Sequence, residues 1–368
     1  MLPDHSSFYS CLVWEALKSK TGKSKEQIEK EHWGKSAKDS KEGADSNSSQ
    51  GIDKSGEAEY NKEKREKAIN EMLNSDRIKT SETLTKETIK KNLSCGTEEM
   101  QETTARLFNE DSFSYENKDG TQSAYYSYSD NRIEYSMEMK EAECYKEGSV
   151  LYHESWHAID FNYGGVQHTP FGDWEERLST DYKLSSGKTF NSTLLEETRT
   201  VGWEDLVVEI NNVRQEELRK AGFNTEEYDI VYQRQVELYN DFLNARPENL
   251  QEAHSAYLAE TQRLRLLETK RELVLKLINP IIKRNYGDMS DIYSGFTKGR
   301  AELCGMGHKK EYWLTEGRRA HEAFAEIASA KATNPESYEL FKKHLPKTVE
   351  AFEEIYGKLK SGEIKARK

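Results

Sequence analysis

The stretch EAECYKEGSVLYHESWHAIDFNY, residues 141–163, decides how this chain is read. It predicts one helix, stopped by Gly164-Gly165, because glycine after the last periodic residue favours termination. Inside it lies His153-Glu154-Ser155-Trp156-His157. Two histidines four residues apart project side by side from a helix, at a separation that suits two imidazoles on one Zn²⁺. Glu154 tilts toward the same face, where a carboxylate can take a proton from a metal-bound water and pass it to a leaving amine. The bland alternative is an amphipathic helix that carries two surface histidines. Val150, Leu151, Trp156, Ala158 and Ile159 count against it, since apolar neighbours predict a buried helix.

Outward from this helix the pattern changes. Upstream, Phe113, Tyr115, Tyr125, Tyr126, Tyr128, Ile133 and Tyr135 fall in short segments divided by Asp119-Gly120 and Asp130-Asn131. Aromatic segments between turn dipeptides predict a small antiparallel β-meander. Before it, residues 60–110 read as a helical region, with helices over 61–75 and 83–109 and Ser81 or Thr83 as caps. Downstream, residues 194–285 are almost wholly helical. Leu206, Val208, Ile210, Leu264, Leu267, Val274 and Leu277 sit among dense mixed charge, which predicts an insertion of long antiparallel helices, a coiled-coil hairpin. Pro280 falls near the end of the last of these. A looser stretch, 286–307, precedes helices over 316–331 and 335–361. The expected fold class is α+β, mostly helical.

A catalytic zinc needs a third protein ligand and an open fourth position. A third histidine close behind His157 is missing at the required spacing, His168 being eleven residues on. A glutamate from a separate helix is the alternative. In His321-Glu322-Ala323-Phe324-Ala325-Glu326, small residues separate two glutamates at i and i+4. Both carboxylates share one face, and another helix can approach closely. One can bind the metal while the other accepts the free ring N–H of a ligand histidine. The competing reading is two ordinary surface glutamates on a charged helix.

Composition sets the frame for this site. The chain has 368 residues, a net charge of −12, and only 35% hydrophobic residues. Its mean hydropathy is −0.94. That length suggests two or three domain-sized units, too polar for all of them to be packed cores. Residues 34–59 hold almost no large apolar side chain and read as a disordered linker after a short N-terminal segment, 1–33. No run of 18 apolar residues is present, and the start lacks a basic region followed by an apolar run. Neither a transmembrane helix nor a secretory signal is expected, and no membrane partner. The acidic balance argues against a nucleic-acid partner held by a general basic field. Cys11, Cys95, Cys144 and Cys304 are scattered, so they read as reduced thiols in a cytosol-like compartment.

HESWHAID, residues 153–160, resembles the HExxHAxD helix of gluzincin-type metallopeptidases. EAFAEIASA, residues 322–330, resembles the E-x-F-A-E helix that supplies the third ligand in the anthrax lethal factor catalytic domain and its relatives. Ser290-Asp291-Ile292-Tyr293, Gly305-Met306-Gly307-His308, Tyr312-Trp313 and the tail ATNPESYELFKKHLPKTVEAFEEI are similar to the zincin-like domain of phage minor head, or head morphogenesis, proteins. The resemblance covers about residues 110–360. It implies a zincin-like metallopeptidase domain over 111–368, with one Zn²⁺ on His153, His157 and Glu322. It also implies Glu154 as general base, with Glu326 and Asp160 behind the ligands. A tyrosine before the third ligand supports the oxyanion in the lethal factor pattern. Tyr312 stands ten residues ahead of Glu322, a different spacing, and His308 fits the same role. Trp156 replaces a small residue, so the helix must face a roomier neighbour there. The activity implied is hydrolysis of peptide or protein substrates by a phage or prophage metalloendopeptidase, with head or portal proteins as partners, in the host cytoplasm or the virion. The alternative is a minor virion protein that keeps the fold without the chemistry.

Overall fold

The computed structural model describes residues 54–81, 84–117, 124–135, 144–169, 172–201, 203–300, 303–304, 307–315 and 317–367. The segment 1–33 and most of the expected linker lie outside them. The described chain is mostly helical, with one small mixed sheet, and is thus α+β. It divides into two compact units: Gln215–Leu275 among the described residues of one, and Ser55–Arg214 with Lys276–Lys368 in the other.

The larger unit begins with α1 (Lys54–Asn74), which takes in the last six residues of the expected linker. Strand β1 (Ile78–Lys79) follows, then α2 (Lys86–Ser94) and α3 (Glu98–Glu110). The single helix expected over 83–109 is therefore two. Thr85 caps the first through a capping box with Thr88, and Thr97 caps the second. The break falls at Gly96, where a Cβ would overlap the Tyr152 ring.

The sheet corrects the expected meander. Strands β2 (Ser114–Glu116), β3 (Tyr125–Ser127) and β4 (Arg132–Glu134) join β1 in the order β1-β2-β4-β3. β1, β2 and β4 run parallel, and only β3 is antiparallel. Residues 60–110 thus belong to the same unit as the rest of the sheet instead of forming a separate region. The registers align Ile78, Tyr115, Ile133 and Tyr126 in one buried row across it. Residues of a row share a face, and the Tyr115 hydroxyl lies 2.6 Å from Ser155 Oγ of the histidine helix. That face carries the core.

Helix α4 (Ser149–Asn162) carries the motif. After the hairpin β5 (Val166–Thr169) and β6 (Gly172–Glu175) come α5 (Phe190–Thr198) and α6 (Trp203–Lys220). α5 packs in the larger unit. Phe190 meets Phe324, and the buried Glu197 accepts the amides of Lys347 and Thr348. The expected insertion at 194–285 thus shrinks to 215–275 as a separate unit. There α7 (Thr225–Leu243) runs antiparallel to the first half of α8 (Leu250–Phe296). Glu227 pairs with Arg263, Tyr239 with Tyr257 and Phe242 with His254. These contacts make 225–263 an antiparallel helical hairpin. The expectation of a looser stretch after 286 does not hold, because α8 continues through Pro280 to Phe296. Proline removes one intrahelical hydrogen bond, and a packed helix of this length absorbs that loss.

Three helices close the chain: α9 (Arg318–Thr333), α10 (Pro335–His344) and α11 (Pro346–Ser361). The helix expected over 335–361 divides at Leu345, which precedes Pro346 and is pushed out of helical conformation. Helix α9 crosses α4 closely because Ala320, Ala323, Ala325 and Ala328 are fully buried and small. Trp156 fills the room this leaves. It packs on Phe324, Phe352 and Tyr356 at ring distances of 5.9, 5.6 and 5.8 Å.

Candidate metal centre

The crossing of α4 and α9 assembles the centre. His153 and His157 lie one helical turn apart, with their Nε2 atoms 3.1 Å from each other. Glu322 Oε2 lies 3.4 Å from the first and 3.5 Å from the second. These three atoms form a nearly equilateral triangle, each about 1.9 Å from its centre. Three ligands of a tetrahedral zinc with bonds of ~2.05 Å stand about 3.3 Å apart, so an ion just above the triangle meets all three at normal length. Glu322 is 2% exposed, and its Oε2 is buried with no hydrogen-bond partner among the described residues. A buried, unpaired carboxylate oxygen is costly unless a cation meets it. The donor set, two imidazoles and a carboxylate, suits zinc.

The charges answer one another. For His153, burial disfavours the cation. The contact with Glu322 at 3.4 Å and the charges of Glu154, Glu322 and Asp288 outweigh it and push the histidine up to about 9. Glu322 is held well below the usual carboxylate range. Burial opposes this, but His157 and His153 overcome it. Glu154 sits beside both histidines, 7% exposed. Burial raises its pKa, partly offset by the two histidines, and the amide of Tyr126 in edge strand β3 hydrogen-bonds to it.

Glu326 does not take the second carboxylate role expected of it. It faces Asp288 of α8 and hydrogen-bonds to it. Burial, with the charges of Asp288 and Asp291, drives its pKa well above the usual carboxylate range. Asp288 is raised too, mainly by burial, and accepts Ser337 Oγ at 2.7 Å. Asp160 lies one turn along α4 from His157. It accepts the Ser179 amide at 2.7 Å, the Ser179 hydroxyl at 2.8 Å and His321 Nδ1 at 3.0 Å. Burial would raise its pKa, yet these bonds lower it. Asp160 thereby ties α4 to the residue next to Glu322.

Tyr312 and His308 also arrive at the centre, in a different arrangement from the expected one. The Tyr312 hydroxyl donates to Glu322 Oε1, the oxygen turned away from the histidines, and so fixes that carboxylate. Burial and the Glu322 charge keep that hydroxyl protonated. His308 stacks on Tyr312 with ring centroids 3.9 Å apart. Its Nδ1 lies 3.0 Å from each oxygen of Asp291, whose Oδ1 also accepts the His308 amide at 2.8 Å. Burial lowers the His308 pKa, and the Asp291 bond more than restores it. The sequence reading gave no role to Asp291, Asp288, His321 or Ser179. The two aspartates stand at i and i+3, a helical signal hidden by reading that stretch as loose.

No protein-family model, curated protein or solved structure matches the chain. No described helix is long and apolar enough to cross a membrane.

Proposed function

We propose that this chain is a zinc-dependent metalloendopeptidase with a zincin-like catalytic domain, of the phage or prophage type its sequence resembles. The triangle of His153 Nε2, His157 Nε2 and Glu322 Oε2 carries this reading. Support for the fold comes from the mixed sheet, whose one antiparallel strand, β3, is the edge beside α4.

His153, His157 and Glu322 would hold the ion, while Tyr312 fixes the orientation of Glu322. Zinc bound there supplies Lewis acidity, which polarises a peptide carbonyl and brings the pKa of water down to ~7. Glu154 does the proton work: its buried carboxylate takes a proton from the attacking water and returns it to the departing amine. A raised pKa suits this task, since the glutamate must accept and release within one cycle. His308, held by Asp291, whose bond raises its pKa, donates to the carbonyl oxygen as charge develops there. Asp160 keeps α4 and α9 in register.

Purified full-length chain is expected to hold about one zinc and to cleave unstructured peptides. Glu154→Gln should keep the zinc and lose cleavage by about 10²–10⁴-fold. Zinc-loaded protein that cleaves nothing would favour the virion structural role instead. Protein without zinc, whose thermal stability is unmoved by His153→Ala, would remove the metal site altogether.

A further inference from the structure

We infer that the cleft over this centre selects peptides bearing an anionic side chain, a carboxylate or a phosphate, and that Arg177 and Arg318 recognise it. This rests on the peptidase reading above.

Arg318 opens α9 four residues ahead of Glu322, so the two share a face of the helix. Its guanidinium carbon lies 4.4 Å over the Tyr312 ring. Arg177 lies 4.2 Å over the ring of Tyr128, in the turn after edge strand β3, and 5.2 Å over Phe161. Both supports border the centre: Phe161 stands one turn beyond His157 on α4, and the Tyr312 hydroxyl bonds to Glu322. Both arginines rest on fixed supports. The Arg177 amide donates to Asp181 Oδ2 at 3.0 Å, and the next two residues bond to Asp160.

Arg177 bonds to the Tyr128 side chain and Arg318 to that of Tyr312, which leaves each guanidinium further N–H donors in the fork that fits a carboxylate or phosphate. Neither guanidinium has a carboxylate within 4.0 Å among the described residues. Elsewhere in the same unit Arg65, Arg132 and Arg367 each hold one. The acids near the cleft are committed: Asp160 to Ser179 and His321, Asp291 to His308, Glu154 and Glu322 to the centre. Exposed Lys309 and Lys310, directly after His308, add positive charge. An overall charge of −12 repels acidic peptides, so any preference for them must come from this local arrangement.

The test uses zinc-loaded full chain carrying Glu154→Gln, which binds without turnover. One fluorescent peptide scaffold carries Asp, phosphoserine, Asn, Ser or Lys at each position in turn, and anisotropy gives Kd. At one position the Asp or phosphoserine peptide should bind about 10-fold or more tighter than its Asn or Ser counterpart. The Asp-to-phosphoserine ratio names the anion. Arg177→Gln with Arg318→Gln should erase the difference, and the paired Lys substitutions should retain part of it. Equal Kd for charged and neutral peptides overturns the inference, as does a preference that survives in a folded, zinc-loaded double variant. Cleavage by the parent chain judges the peptidase reading separately. Cleavage without anionic preference sinks only the inference. Zinc-loaded chain that prefers the anionic peptide but whose parent cleaves nothing sinks only the reading.

Discussion

Replacing Glu322 by glutamine tests the centre at its least local point. The amide keeps the size of the side chain and an oxygen for the Tyr312 hydroxyl, but it is a poor zinc donor. Removing Glu322 leaves two nitrogens 3.1 Å apart and, among the described residues, no third His, Cys, Asp or Glu donor grouped with both. Four-ligand structural zinc sites bind with roughly 10–16 kcal/mol, so one ligand is worth about 2.5–4 kcal/mol. Glu322→Gln should therefore weaken zinc binding about 10²–10³-fold, since 1.4 kcal/mol is tenfold. Glu326→Gln is the control. Glu326 shares the helix face but meets Asp288, and its loss should move zinc affinity about threefold or less. Second-sphere changes reach 10–100-fold only where they hold a ligand. Competition against a chromophoric chelator at fixed pH measures both. An unchanged affinity in Glu322→Gln, or a larger loss in Glu326→Gln, would refute the assignment of the pair.

Two further outcomes probe the scaffold. Burial pushes Asp111 up to about 6, against the bonds from Ser112 and the charge of Arg77. A carboxyl that binds its proton more tightly when folded destabilises the fold once ionised. The gain in unfolding free energy from Asp111→Asn should be at most about 2–3 kcal/mol at pH 7 and shrink as pH falls through 6 toward 4. A gain independent of pH in urea titrations would contradict this. Trp156→Ala empties a fully buried site lined by Phe324, Phe352 and Tyr356. It should lower the unfolding free energy by about 3–5 kcal/mol, and a loss below ~1 kcal/mol would mean the site collapses freely.

The helices were legible in the sequence where the period was long enough to count. The run around His153 and His157, the hairpin inside 215–275 and the final α9 all rest on several turns of apolar spacing. Their ends were less so, for identifiable reasons. Gly96 breaks a helix because Tyr152 packs against it, a contact between residues far apart in sequence. The sheet was misread because its strands are two or three residues long. A two-residue strand has no alternation to detect, and the pairing of Ile78 with Tyr115 is long-range. Aromatic segments between turns fit an antiparallel meander as well as the mixed sheet, and only the partner of β2 decides between them.

The site divides along the same line. His153, Glu154 and His157 are one local unit, so helical geometry alone places them together. Glu322 and Glu326 are also one turn apart, and on an isolated helix they are equivalent. They become unlike through what crosses α9: α4 brings two imidazoles to Glu322, while α8 brings Asp288 to Glu326. The pKa of one glutamate is thereby lowered between bases, and that of the other is raised between acids. Reading 286–307 as loose removed the helix that makes this distinction. It also hid Asp291, and with it the reason His308 is held in place. Donor identity is thus a local property of the sequence, whereas the protonation that fits a donor to its task comes from the helices that cross it.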